Sequence, residues 1–316
     1  MQTRRDFVKE TAAALAATAA CAIPALAADA RKKMRAGRPL RGLVVWYSQT
    51  GNTERHGRLV ANVWEKKGLT VTAGDYRDVG QVKPGAFDIL MAGSPVYYYE
   101  VPENFRTWLR SIPVMDGTPV AAFVTCGGEG GNQYNTACTL LEIMSERGGV
   151  PAGMITLNNM STYAVTWSMG NRERILKYRH LPDEATFERV RVFAAGVLDR
   201  AERGEASDVV RKRNMQDLFS GGPSIKLCKL LTGNHHINQK ECIGCGACEK
   251  ACPVKAVNLA AGTVNTDRCI ACLGCVNNCP TGAMTMDFMG KRVRGWKLFS
   301  RDEKIMIREP KELAGR

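Results

Sequence analysis

Histidine is scarce: the 316 residues hold four, and none follows a C-x-x-C pair, which excludes haem attachment of the C-x-x-C-H kind. Behind the N-terminal segment no apolar run reaches the ~18 residues that a membrane-spanning helix needs. There is no G-x-x-x-x-G-K-S/T loop and no G-x-G-x-x-G behind a strand, so a built-in ATP or nicotinamide site has no support. No nucleic-acid motif accompanies the net charge of +13, and the pattern gives no nucleic-acid partner. What remains is ordinary for globular protein: 45% apolar and 24% charged residues, in a chain long enough for two domains.

Cysteine, by contrast, is abundant. Eight of the twelve form two runs of one spacing, C-x-x-C-x-x-C-x-x-x-C. Cys242, Cys245, Cys248 and Cys252 precede Pro253; Cys269, Cys272, Cys275 and Cys279 repeat the run 27 residues later and precede Pro280. Zinc sites usually set two pairs of ligands apart by a spacer. A disulfide framework needs no duplication that also aligns Ile243 with Ile270 and Ala256 with Ala283. Thiolates three residues apart on a tight loop reach three corners of one iron–sulfur cube, and the cysteine beside proline turns to the other cube. Such a unit carries one electron at a time. Residues 238–290 resemble the small bacterial ferredoxins, of α+β fold, which hold two 4Fe-4S clusters. The resemblance implies one cluster on Cys242, Cys245, Cys248 and Cys279, and a second on Cys269, Cys272, Cys275 and Cys252. It also implies that Ile243, Val254, Val257, Ile270 and Met284 wall the clusters from water, which helps set their potentials.

Residues 1–28 read as a twin-arginine export signal. Thr3, Arg4, Arg5, Phe7 and Lys9 match T-R-R-x-F-x-K, an alanine-rich stretch follows, and Ala25-Leu26-Ala27 supplies a cleavage site. Export of this kind moves folded proteins, so a periplasmic location suits cofactors inserted beforehand. The alternative is a membrane-anchored lipoprotein through Cys21, whose flanking Thr18-Ala19-Ala20 lacks the leucine of a lipoprotein box.

The positive charge falls in runs. Arg31, Lys32, Lys33, Arg35, Arg38 and Arg41 form an acid-free stretch; Arg211, Lys212 and Arg213 lie in a polar segment, 205–237, that reads as a linker; Lys291, Arg292, Arg294 and Lys297 begin a basic tail, 291–316. Such runs keep a surface solvated, and they also suit docking of acidic redox proteins or peripheral contact with anionic lipid.

Residues 40–204 alternate apolar runs with helical stretches: strands at 43–47, 69–73, 89–92, 120–125 and 154–157, helices at 53–67, 102–110, 136–147 and 183–203. That alternation predicts a doubly wound α/β parallel sheet, whose ligands bind at the carboxyl ends of the strands. Three loops lie there. Ser48-Gln49-Thr50-Gly51-Asn52-Thr53 enters the first helix, where hydroxyls, N–H groups and the helix dipole favour an anion. Pro95, Val96, Tyr97, Tyr98 and Tyr99 follow the third strand, and Thr125-Cys126-Gly127-Gly128 the fourth. Together they resemble flavodoxins, whose first loop reads T/S-x-T-G-x-T and binds the phosphate of FMN. The resemblance implies strand order 2-1-3-4-5, phosphate on Ser48 to Thr53, the flavin ring against Pro95, Val96, Tyr97 and Tyr98, and its polar edge at Thr125, Cys126, Gly127 and Gly128. The third loop departs from the pattern, being glycine-rich where many relatives carry an aromatic.

Cys126 and Cys138 read as small buried residues, His56 as a surface helix residue, and His235 and His236 as linker residues; Cys228 has no partner in sequence. Residues 158–181, with Tyr163 and Trp167, form a connection longer than usual that either covers the flavin or faces the second domain. The whole resembles flavodoxin-like proteins fused to bacterial ferredoxin domains. That resemblance implies electron transfer between FMN and two clusters and on to redox proteins. Its alternative is an FMN-dependent reductase of a small acceptor, a quinone or nitro compound.

Overall fold

The computed structural model describes residue 34, residues 39–128 and residues 131–314. The export signal, Cys21, the cations Arg31, Lys32, Lys33, Arg35 and Arg38, and Glu129 and Gly130 of the third loop lie outside the described residues.

The strands are β1 (Arg41–Trp46), β2 (Thr70–Asp75), β3 (Ile89–Pro95), β4 (Pro119–Gly127) and β5 (Val150–Asn159); all but β2, a mixed and largely exposed edge strand, come from largely apolar runs. All pair in parallel in the order β2-β1-β3-β4-β5, the flavodoxin-like doubly wound arrangement. Strands covered on both faces have no polar side to show, which is why these runs do not alternate. Gly93 in β3 is required by packing, since a Cβ there would fall inside the Phe123 ring of β4.

The helices of this domain are α1 (Asn52–Lys66), α2 (Tyr76–Val79), α3 (Glu103–Ser111), α4 (Gln133–Glu146), α5 (Val165–Ser168), α6 (Arg172–Leu176) and α7 (Glu184–Arg203). One face of the sheet is covered by α1 and α7, where Leu59, Val60 and Trp64 meet Phe187, Val190 and Val197. The other is covered by α3 and α4 through Phe105, Leu109, Leu140 and Met144. Asp183 caps α7 by accepting the Thr186 N–H at 2.8 Å, and Gly204 ends it in the left-handed conformation.

Residues 205–237, read as a linker, hold more structure than a linker needs: a 3-10 turn at Met215–Phe219, helix α8 (Gly222–Leu230) and strand β6 (Thr232–Ile237). With β7 (Val257–Asn258), β8 (Thr263–Val264), β9 (Met284–Phe288) and β10 (Lys291–Arg292), β6 builds a second, antiparallel sheet of order β10-β9-β6-β8-β7. The third cysteine of each run falls in a short helix, Cys248 in α9 (Ala247–Ala251) and Cys275 in α10 (Gly274–Asn278). The tail forms α11 (Trp296–Asp302) and then returns to the first domain, where Glu309 pairs with Arg55 and Glu312 with Arg191. Among the described residues no helix is long and apolar enough to cross a membrane.

The long connection after β5 joins the two domains. Trp167 stacks on Phe299 at 4.3 Å, and its ring N–H donates to the Arg294 carbonyl at 2.7 Å. Asn277 of α10 donates to the Thr162 carbonyl at 3.0 Å. Trp167→Ala removes a buried ring and a hydrogen bond at once. Unfolding in guanidinium then reports a loss of about 3–5 kcal/mol, and an unchanged midpoint contradicts this packing role.

Candidate functional site

The carboxyl ends of β1, β3 and β4 open into a cavity of about 710 Å³. All three loops singled out in the sequence reach it. Ser48, Gln49, Thr50, Asn52 and Thr53 come from the first; Pro95, Val96, Tyr97 and Tyr98 from the second; Thr125, Cys126, Gly127 and Gly128 from the third. Gly51 stands just outside, facing a neighbouring cleft of about 450 Å³. It occupies the N-cap of α1 at φ +86°, a conformation glycine takes without strain. The first-turn N–H groups of α1 have no intrahelical carbonyl to bond, and they open toward this loop.

The loops are braced from outside. The Ser48 N–H donates to the Asp75 carboxylate at 3.0 Å, and Arg77 clamps that carboxylate through two nitrogens, at 2.6 and 2.9 Å. Thr53 and Thr125 share a hydroxyl hydrogen bond of 2.8 Å, tying the first loop to the third. In the second loop Tyr98 and Tyr99 both take positive φ, 51° and 62°. The Tyr98 hydroxyl donates to the Ala271 carbonyl at 2.6 Å, and the Gly221 N–H donates to the Tyr98 carbonyl at 2.8 Å. Strain of this kind persists because both neighbouring segments hold it.

Of four further features here, three had no signal in the sequence. The cavity's far wall includes Ala271, Cys272 and Leu273 of the second cysteine run. Gln49 bridges to that run. It accepts the Tyr97 hydroxyl at 2.7 Å, donates to the Tyr47 hydroxyl at 2.8 Å and lines the cavity together with Cys272, while Asn278 donates to its main-chain carbonyl at 3.0 Å. Tyr163 and Tyr178 of the long connection line the cavity as well, and Tyr178 packs where a side chain on Gly128 would lie. The sulfur of buried Cys228 lies 3.2 Å from the Tyr98 hydroxyl oxygen. The length of the 158–181 connection was the one available hint.

The connection faces the second domain through Trp167, and its Tyr163 and Tyr178 line the cavity. Cys126 and Cys138 are buried, as read from the sequence. Burial pushes the Cys126 thiol up to about 12.

The cysteines of the two runs separate into two neighbourhoods. Cys242, Cys245, Cys248 and Cys279 line one small cavity. Burial pushes the Cys272 thiol up to about 11, against hydrogen bonds from the Gly274 N–H and Gln49; Cys269 and Cys252 add to the rise. The same Cys252 and Cys269 raise the buried Cys275. Backbone N–H groups already point at these sulfurs, Ala256 to Cys252 at 3.1 Å, Ala271 to Cys269 at 3.4 Å and Met284 to Cys279 at 3.4 Å.

His235 and His236 belong to β6 rather than a linker, and the His235 ring nitrogen Nε2 lies 3.4 Å from the Cys275 sulfur. Met284 is buried and Val254, Val257 and Ile270 are half-buried; Ile243 lines the small cavity of the first set but is itself 66% exposed.

Comparison with known families matches residues 235–280 to the 4Fe-4S dicluster domain. No curated protein matches the chain. Among solved structures, a flavodoxin from the domain Archaea is 18% identical, covers 52% of this chain and 99% of its own, and has a TM-score of 0.38. Flavodoxin 1 from Bacillus cereus is 18% identical over 50% of this chain and 97% of its own, with a TM-score of 0.39. The strand order itself, rather than scores of that size, defines the fold.

His56 is fully buried in α1 instead of lying on its surface, with Nε2 3.3 Å from the Asn159 side chain at the cavity floor. Burial holds its pKa down at about 3 against 6.5, with Asn159 opposing and Arg55 assisting. A depressed folded pKa means that stability is fully present above pH 6.5 and is lost as pH falls toward 3. Between pH 6.5 and 5, His56→Gln therefore flattens the fall in unfolding free energy by up to roughly 1.4 kcal/mol per pH unit; parallel curves for parent and variant contradict the burial.

Proposed function

We propose that the chain is an electron-transfer iron–sulfur flavoprotein. FMN occupies the large cavity, two 4Fe-4S clusters sit on the two cysteine sets, and redox proteins of acidic surface exchange electrons with them. The observation that carries this reading is the shared wall: Cys272 and the three loops of the flavodoxin-like domain line one cavity. That leaves no layer of protein between the flavin site and the nearer cysteine set.

The residues present fit both groups. A cavity of about 710 Å³ is in the range that takes a cofactor of this size. Ser48, Thr50, Asn52 and Thr53, at the start of a helix and braced by Asp75 and Thr125, supply the hydroxyls, N–H groups and dipole that hold a phosphate. Pro95, Val96, Tyr97 and Tyr98 give a stiff, largely apolar flank. Thiol sulfurs with backbone N–H groups aimed at them are the donors a cubane needs.

FMN takes two electrons together or singly, and a cubane takes one, so a chain holding both links the two kinds of chemistry. The protein's own part is position. Gln49 fixes the Tyr97 hydroxyl and meets Cys272, and Asn278 fixes Gln49 in turn. His235, within hydrogen-bond reach of Cys275, adds a polar contact to the set nearest the cavity. The export pattern in residues 1–28 supports a periplasmic site of action.

The second reading, an FMN-dependent reductase of a quinone or nitro compound, draws on Tyr99 and Tyr163, which stand exposed among the cavity's lining residues. Turnover with small acceptors separates the two, since a relay reduces them slowly and without selectivity.

Protein prepared without oxygen carries one FMN and about eight irons, as two cubanes bring. Cys275→Ala loses about half of that iron while FMN remains bound. Zinc in place of iron, or a supernatant without yellow pigment after unfolding, contradicts the reading.

A further inference from the structure

Helix α8 presents two faces of opposite character. Its inner residue Cys228 is buried against Tyr98, and Ser224 and Cys228 line the cavity. Leu230 on its outer side stands 81% exposed, and Leu227, 58% exposed, lies at the edge between that side and the cavity, which it also lines. The 3-10 turn just before it adds Met215, Leu218 and Phe219, at 75%, 71% and 57%. The two segments are joined where the Ser224 hydroxyl donates to the Phe219 carbonyl. Met289, also exposed, belongs to a third segment, brought to the end of α8 by its N–H bond to the Leu231 carbonyl at 2.8 Å. Large apolar side chains from three separate parts of the chain therefore protrude around one helix, and a cluster of this kind marks an interaction site.

Charge narrows the occupant. Arg213 and Lys226 are exposed beside these side chains, and Lys291 and Arg292 follow Met289. The acid within the turn, Asp217, is exposed but engaged, accepting from Asn132 at 2.8 Å and Asn135 at 2.9 Å, and the exposed cations beside the patch outnumber it. A cationic rim around apolar residues opposes its own copy in a two-fold dimer, where like charges would meet. Apolar residues projecting among lysine and arginine are the chemistry of a helix lying at an anionic lipid interface.

We propose that this face seats the protein on an anionic lipid surface, with Met215, Phe219, Leu227 and Leu230 at the acyl boundary and Lys226, Lys291 and Arg292 among the headgroups. The helix that touches lipid then also walls the cavity, which brings the cavity to the headgroup level. The inference rests on exposure and charge, and holds whichever cofactor the cavity takes.

Sedimentation of the full chain, carrying its cofactors, with lipid vesicles tests it. Vesicles of equal parts phosphatidylcholine and phosphatidylglycerol bind the protein, those of phosphatidylcholine alone bind far less, and added salt weakens the binding. Met215→Glu with Leu230→Glu weakens it about a hundredfold and leaves the visible spectrum unchanged. Lys226→Glu with Lys291→Glu makes the binding less sensitive to salt. The proposal is overturned if anionic vesicles do not bind, or if the Met215/Leu230 variant binds as the parent does. It is equally overturned if ultracentrifugation shows a parent dimer that the same variant converts to monomer, because a second copy then covers the face.

Discussion

Gln49 is held from two sides, and the arrangement of the whole molecule depends on that grip. Two tyrosines of the first domain, Tyr47 and Tyr97, fix its side-chain amide. Asn278 of the second domain holds its carbonyl, and Cys272 meets its side chain. Glycine is needed at position 274 because a Cβ there would lie 2.5 Å from the Gln49 amide nitrogen. Each contact is an ordinary hydrogen bond, worth about 0.5–1.5 kcal/mol by itself. Together they fix the distance between a loop built for an anion and a loop built of thiols.

The interface around this point is made of parts that each serve another element. The connection after β5 packs Trp167 into the second domain and turns Tyr163 and Tyr178 to the cavity. Helix α8 walls the cavity on one side and faces outward on the other. The tail leaves the second domain and pairs Glu309 and Glu312 with Arg55 and Arg191 of the first, and Arg55 itself is buried beside Asn52 of the first loop. Several cations of the sequence's basic runs are held in such pairs. Arg41 meets Asp88, Arg211 meets Glu142 and Arg294 meets Asp302, so the runs of charge in the sequence overstate what faces a partner.

The first sheet was legible because strands buried on both faces must be apolar throughout, and helices between them must carry an apolar stripe. The three loops were legible because glycine, hydroxyl and aromatic residues at strand ends have few structural reasons to gather there. The cysteine runs carried their own ruler in their spacing. Three things escaped. His56 sits in a polar stretch of α1, yet it turns inward, where Asn159 partners its Nε2 and Phe187 packs on its ring. Strand β6 carries Gly233, Asn234, His235 and His236, a composition that reads as linker, because its pairing with β8 and β9 rests on main-chain hydrogen bonds and on polar contacts to Thr285 and Asp287, far away in sequence. And the approach of Cys272 to the first domain is a contact between residues far apart in sequence, which no local pattern encodes.

The most direct measurement is the rate at which one electron crosses between the cavity and the clusters inside a single molecule. Flash photoreduction of the fully loaded protein, followed at the flavin and cluster absorption bands over a range of protein concentrations, reads it. The account predicts cluster bleaching that is first order and independent of concentration. Bleaching whose rate scales with concentration, or clusters that stay oxidised beside a reduced flavin, contradicts it.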